Sequence, residues 1–205
     1  MLHQNLIGYG AGGALPGAYT IDQSCLFNDD TPDKLSWTIG AEPDSATVYS
    51  MSFWMKRGNI LSTSSYPISC GDDAGNSEWL SIRDTAILQY QAYTGGSSVY
   101  ALDTTQVFRD PNAWYHIHLY RSGDTVILSV NGVTITAFST DTPPTSDNGY
   151  FGKNGADFAI GAKSWTTGQE MDGYLAEVIF IDGTAYGVSS FGEFNSDGVW
   201  IPVDP

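Results

Sequence analysis

Three carboxyl side chains crowd the stretch "GQEMDGYLAEVIFIDG", residues 168–183: Glu170, Asp172 and Glu177, at the mouth of an apolar run. Carboxyl pairs of this kind cleave glycosidic bonds, one as acid and the other as nucleophile, when they stand about 5–5.5 Å apart. The spacing here argues against that chemistry. Glu177 follows Asp172 by five residues, and on a strand of period two an odd step sends the second side chain to the opposite face. The residues therefore predict a structural use. Asp172-Gly173 closes a turn, and Glu177 accepts hydrogen bonds from backbone or hydroxyl donors where the strand is partly buried.

His116 and His118 share one face of a predicted strand, roughly 6.5–7 Å apart. That would suit a metal, but no third His or Cys lies near them in sequence. The better expectation is a packed, hydrogen-bonded strand face. No G-x-S-x-G frame is present. The glycines of "GYGAGGALPG" have neither a strand before them nor a helix after, so they make no phosphate loop. Cys25 and Cys70 are far apart and read as two free thiols.

Aromatic side chains in turns are a further source of chemistry. Flat apolar rings cover a sugar ring while nearby polar groups take its hydroxyls. Trp165 in "KSWTTGQ", Tyr150 in "DNGYFGKNG", Tyr93 in "AYTGG" and Trp79 are the carbohydrate-binding candidates. Phe151 and Tyr66 are also loop aromatics on this reading, while Trp54 and Trp114 belong to the core. The alternative for each ring is a lid on that core.

These residues need strands to hold them. Of 205 residues, 23 are Gly and 12 Tyr, while Lys and Arg together number 8, which favours strands and tight turns over long helices. "TVYSMSFWMKR" (47–57) is apolar on both faces and predicts a central strand. "AWYHIHLYRSGDTVILSVNGVTITAF" predicts three strands joined by turns at Ser122–Asp124 and Asn131–Gly132, the Asn-Gly pair suiting a type I′ turn. "EWLSIR" and "AILQYQAY" predict a hairpin, and "YTIDQSCLF" (19–27) a first strand. "CGDDAGNSE" and residues 139–156 predict loops, and "AYGVSSFGEF" a single helical turn. About a dozen short strands and no βαβ alternation imply an all-β sandwich or barrel. Net charge is −15, which disfavours nucleic acid and anionic membranes as partners. No run approaches the ~20 apolar residues of a membrane span. The N-terminus lacks the pattern of a secretory signal, so synthesis in a cytoplasm without export is expected.

Trp114, His116, the hairpin "VNG" (130–132), Ile160-Gly161 and the series Asp172, Gly173, Leu175, Glu177, Val178 together resemble the concanavalin A-like, laminin-G-like jelly-roll domain. The resemblance implies a sandwich of two antiparallel sheets over residues 19–187, preceded by a Gly-rich arm (1–18) and followed by a helical turn and tail (188–205). Glycoside hydrolases of that fold place E-x-D-x-x-E or E-x-D-x-E on one strand; here Glu170 and Asp172 fit the first half, and Tyr174 or Leu175 stands at the third position. "SFWMKRGN" and "FIDG…SSFGE…GVWIP" resemble the version of the domain found in structural proteins of tailed bacteriophages, marine ones especially. That version of the domain implies a non-enzymatic virion protein, for capsid decoration, subunit bridging or adhesion to host glycans. Residues 1–18 and 188–205 would dock on other virion proteins, in a homo-oligomer with a trimer favoured. A stand-alone carbohydrate-binding module and a divergent glucanase are the alternatives. Laminin-G-like domains often bind calcium at one rim, and Asp72, Asp73 and Asn76 are the ligands this implies, with an ordinary solvated turn as the other reading.

Overall fold

The computed structural model describes residues 19–31, 33–60, 63–145 and 149–205. The predicted N-terminal arm, residues 1–18, lies outside the described residues.

Six strands form one antiparallel sheet. In chain order they are β1 (Cys25–Phe27), β3 (Val48–Arg57), β8 (Trp114–Ser122), β9 (Thr125–Val130), β10 (Val133–Thr134) and β13 (Gly173–Asp182), and they lie side by side as β1-β13-β3-β8-β9-β10. Seven form the second: β2 (Leu35–Thr38), β4 (Ser65–Asp73), β5 (Asn76–Ile82), β6 (Ile87–Thr94), β7 (Ser97–Val107), β11 (Phe138–Thr142) and β12 (Asp157–Ile160), in the order β11-β7-β6-β5-β4-β12-β2. The two sheets make the expected all-β, concanavalin A-like jelly-roll sandwich. One 3₁₀ turn (Val188–Ser190) precedes a small hairpin of β14 (Gly192–Phe194) and β15 (Trp200–Pro202).

β3 is central and buried on both faces, as its composition requires. Tyr49, Met51, Phe53 and Met55 meet the main core with Ile68, Leu80, Leu88, Ile117, Leu119 and Phe158. Its other face carries Ser50, Ser52 and Trp54, which with His116 and His118 lie under residues 184–202. Ser50 donates to the Thr184 carbonyl at 2.9 Å, and the His118 ring nitrogen lies 3.0 Å from that of Tyr186. Trp200 covers Trp54, Trp114 and Ile21. The tail is thus an ordered hairpin bound to its own domain, because Trp54 and Trp114 put an apolar patch on the outer face of β3 and β8 that Trp200 covers. Trp54 and Trp114 are buried, but beneath this hairpin and not between the sheets.

The Asn-Gly turn does two jobs. Asn131 and Gly132 both have positive φ, 49° and 77°, as a type I′ turn demands. A Cβ on Gly132 would also stand 2.2 Å from the Trp200 ring, so only glycine leaves room for the hairpin to seat.

Three strand expectations are corrected. "CGDDAGNSE" is not a loop: β4 and β5 run through it and turn tightly at Ala74-Gly75, leaving Glu78 fully buried. Tyr66 is therefore in a strand, one that Pro67 disguised by removing a ladder donor. Residues 139–142, expected as loop, continue an edge strand that begins at Phe138, while of 19–27 only Cys25–Phe27 pairs.

The core holds one polar node. The Glu78 carboxyl accepts from the hydroxyls of Tyr49 and Tyr90 (2.6 Å for the latter) and from the backbone N–H groups of Tyr150 (2.6 Å) and Phe151 (2.9 Å). Tyr100 lies 3.2 Å from the Tyr90 hydroxyl and receives Arg121. Burial, then the charge of Glu78, pushes all three tyrosines well above their usual range, so they remain protonated donors.

Glu78→Ala strands four donors and should cost about 3–5 kcal/mol in denaturant unfolding; a loss below about 1 kcal/mol would contradict the node. Burial also holds His116 down to about 3 and His118 to about 4. In the unfolded chain both take up protons near pH 6.5, while the folded rings stay neutral. Stability is therefore full above pH 6.5 and falls as pH drops towards 4, by on the order of 2 kcal/mol per histidine. A flat melting temperature between pH 7 and 4.5 would refute this burial.

Candidate functional site

The loop after β12 builds the candidate site. Gly161 leaves the strand with φ of 89°, its amide donating to the Pro67 carbonyl. Ser69 of β4 then pins the loop from both sides: its hydroxyl donates to the Ala162 carbonyl (2.9 Å) and accepts from the Ser164 amide (2.8 Å). Ser164 returns a hydrogen bond to the Gly71 carbonyl, and Lys34 holds the carbonyls of Lys163 and Ser164. Further on, the buried Glu170 carboxyl accepts from the Gly168 amide and closes the loop, while Met171 enters the core. The loop therefore lies on the outer face of the seven-stranded sheet.

It brings Trp165 against Trp79, ring centres 5.8 Å apart. Trp79 points outward because its neighbours Glu78 and Leu80 point inward. Tyr93 stacks on Trp79 at 5.6 Å and 18°, since β6 pairs it with Ser77, two residues away on the same face. Tyr66 meets Trp79 edge-on at 6.0 Å. Trp79 and Tyr66, each 7% exposed, form a floor; Tyr93 and Trp165 are half-exposed walls. The Lys163 ammonium sits 4.5 Å from the Tyr66 ring and 5.6 Å from that of Trp165. Beside the rings runs a polar row. Trp79 Nε1 and Ser81 donate to Gln89, Gln89 donates to Asp103 at 2.7 Å, and Thr140 donates to the other Asp103 oxygen. Flat ring faces next to fixed amide and carboxylate groups are what a polyol ligand needs.

Three of the four carbohydrate candidates thus meet: Trp165, Tyr93 and Trp79. Tyr150 does not join them. It is 4% exposed, its amide on Glu78 and its hydroxyl on Asn76, at the rim where Lys153 lies 4.2 Å over its ring. Tyr66 joins this group through β4, which Pro67 hides from a sequence pattern. Lys163 joins it too, and the spacing Lys163-x-Trp165 puts both on one side of an extended loop.

Of the calcium candidates, Asn76 already accepts from Gly95 and Tyr150 with its side-chain oxygen and donates to Asp73. Asp73 also accepts from the Gly75 amide, and these bonds, the Asn76 amide first, hold its pKa below the ordinary carboxylate value. Asp72 lies 3.9 Å from Lys153. Among the described residues no three His, Cys, Asp or Glu side chains gather as a metal site.

The acidic trio is dispersed. Glu177 does not alternate as a regular strand would. The β13–β3 register shifts between Ala176 and Ile179, and Glu177 takes φ of 48° in that bulge. Its carboxylate accepts from the Tyr19 hydroxyl, the kind of donor the sequence predicts, with the bulge setting its direction. Burial raises its pKa, and that of Asp172, above the usual carboxylate values.

Residues 31–187 match the sequence profile described as the concanavalin A-like lectin/glucanases superfamily. The chain belongs to that superfamily. No curated protein matches it in sequence. Similar solved structures include the enzymatically active domain of tailspike protein 2 from bacteriophage CBA120, with a TM-score of 0.54 and 15% identity over 81% of this chain and 26% of that one. They also include the Ruminococcus gnavus IT-sialidase CBM40, with a TM-score of 0.50 and 13% identity over 77% of this chain and 94% of that one. A heptameric SAP-like pentraxin from Limulus polyphemus gives 0.49, at 15% identity over 72% and 68%. The likeness is one of fold: superfamily members of this shape include lectins and carbohydrate-binding modules. The chain spans about a quarter of the tailspike.

Proposed function

We propose that this chain is a non-enzymatic adhesion domain, holding surface glycan on the outer face of its seven-stranded sheet and displayed on a tailed-bacteriophage particle. The grouping of Tyr93 and Trp165 around Trp79 carries the reading, because half-exposed rings braced by a buried one form a rigid platform. The carboxyls of Glu170 and Glu177 support the non-enzymatic part. One is held by the Gly168 amide and the other by the Tyr19 hydroxyl, so each already has a structural use. The phage setting rests on "FIDG…SSFGE…GVWIP" and agrees with the fold shared with the tailspike domain.

A virion location and subunit bridging, as a trimer, belong to the same proposal. Phe194 is 53% exposed beside Trp200 on the C-terminal hairpin, where a neighbouring subunit could cover it. A monomer mass in solution at micromolar concentration would remove the trimer. For adhesion, the chain should bind members of a glycan array, and Trp165→Ala should weaken binding about tenfold, the loss of one stacking platform (about 1.4 kcal/mol). Laminarin should stay intact, and Glu170→Gln should change nothing there. Silence of the folded protein across the array would refute adhesion, and hydrolysis lost in Glu170→Gln would replace it with a glucanase.

A further inference from the structure

The cation at this face narrows the ligand. We infer that the sugar held on the Trp79 platform carries a carboxylate, and that Lys163 is the group that receives it. The inference rests on the adhesion reading above and adds to it the chemical class of the ligand.

The chain has eight Lys and Arg against 23 Asp and Glu. Several of these cations are held by acceptors or rings within the fold. Arg57 is buried and donates to the Phe108 carbonyl, Arg121 lies over the Tyr100 ring, and Lys153 is beside Asp72. Lys34 is spent on the carbonyls of the loop itself. Lys163 differs. Its ammonium rests on two ring faces and, among the described residues, no carboxylate oxygen lies within 4.0 Å and no acceptor takes its protons. The rings attract the charge but accept no conventional hydrogen bond.

The two contacts also fix its place. Tyr66 is floor and Trp165 is wall, so Lys163 stands at the edge of the same platform on which a sugar ring would stack. A carboxylate projecting from a pyranose held there would meet an ammonium with three free donors, a charge-assisted contact stronger than a neutral one. Burial alone shifts the Lys163 ammonium down from its ordinary value, with no carboxylate opposing it. An incoming anion would supply that missing partner.

Isothermal titration with matched pairs tests this on the full chain. The probes are tetragalacturonate against its carboxyl-reduced form, and sialyllactose against lactose, which separates uronic from nonulosonic acids as the source of the carboxylate. At least one acidic member should bind about tenfold tighter than its neutral counterpart. Lys163→Met, checked for folding by near-ultraviolet circular dichroism, should erase that preference by lowering the acidic member's affinity more than the neutral member's, and Lys163→Arg should retain the preference. A Lys163→Met variant that weakens both members equally would make the ammonium a strut under Trp165 and overturn the inference. Equal affinity of the natural chain within each pair would do the same while leaving adhesion standing. Binding of no sugar at all, acidic or neutral, would overturn both readings.

Discussion

A carboxyl group buried in a sandwich core must find donors, and the fold is organised around that demand at Glu78. Its four donors come from β3, β6 and the segment at 149–151, so the group ties both sheets and one rim together. A buried polar group fully paired in this way tolerates no second arrangement. Register follows from it. Sliding β5 by one residue would push Glu78 outward and swing Trp79 into the core. The aromatic platform on one face of the sheet and the hydrogen-bonded node on the other are two sides of the same alternation.

Much of this was legible along the chain. The two-faced apolarity of β3, the alternation of β8 and the Asn-Gly turn each depend on neighbours within a few residues, and each appears where the sequence places it. What stayed hidden depends on distant partners. Pro67 and the acidic turn masked β4, whose pairing with β5 and β12 is set by the rest of the sheet. The bulge at Glu177 comes from β13 fitting β3, and no local residue announces it. The aromatic candidates could be named one at a time, but only the β5–β6 register and the loop pinned to Ser69 bring Trp79, Tyr93 and Trp165 together and leave Tyr150 apart. Lys163 went unnoticed because its significance lies in the absence of a nearby acid, which only the folded arrangement displays.

The sandwich itself says little about activity, since one scaffold of this kind hosts lectins, modules and enzymes alike. What individualises the chain is what it lays on the two outer faces. Residues 161–170 cross one, giving a rim of rings and a cation; the hairpin at 192–202 covers the other.

That second covering gives the molecule a back and a front. Tyr19 and Ile21 at the start of the described chain, and Trp200 and Asp204 at its end, all gather on the outer side of the six-stranded sheet. The aromatic platform looks the other way. An array of copies anchored by this back would present every platform outward, with multivalent contact set by the spacing of the anchors.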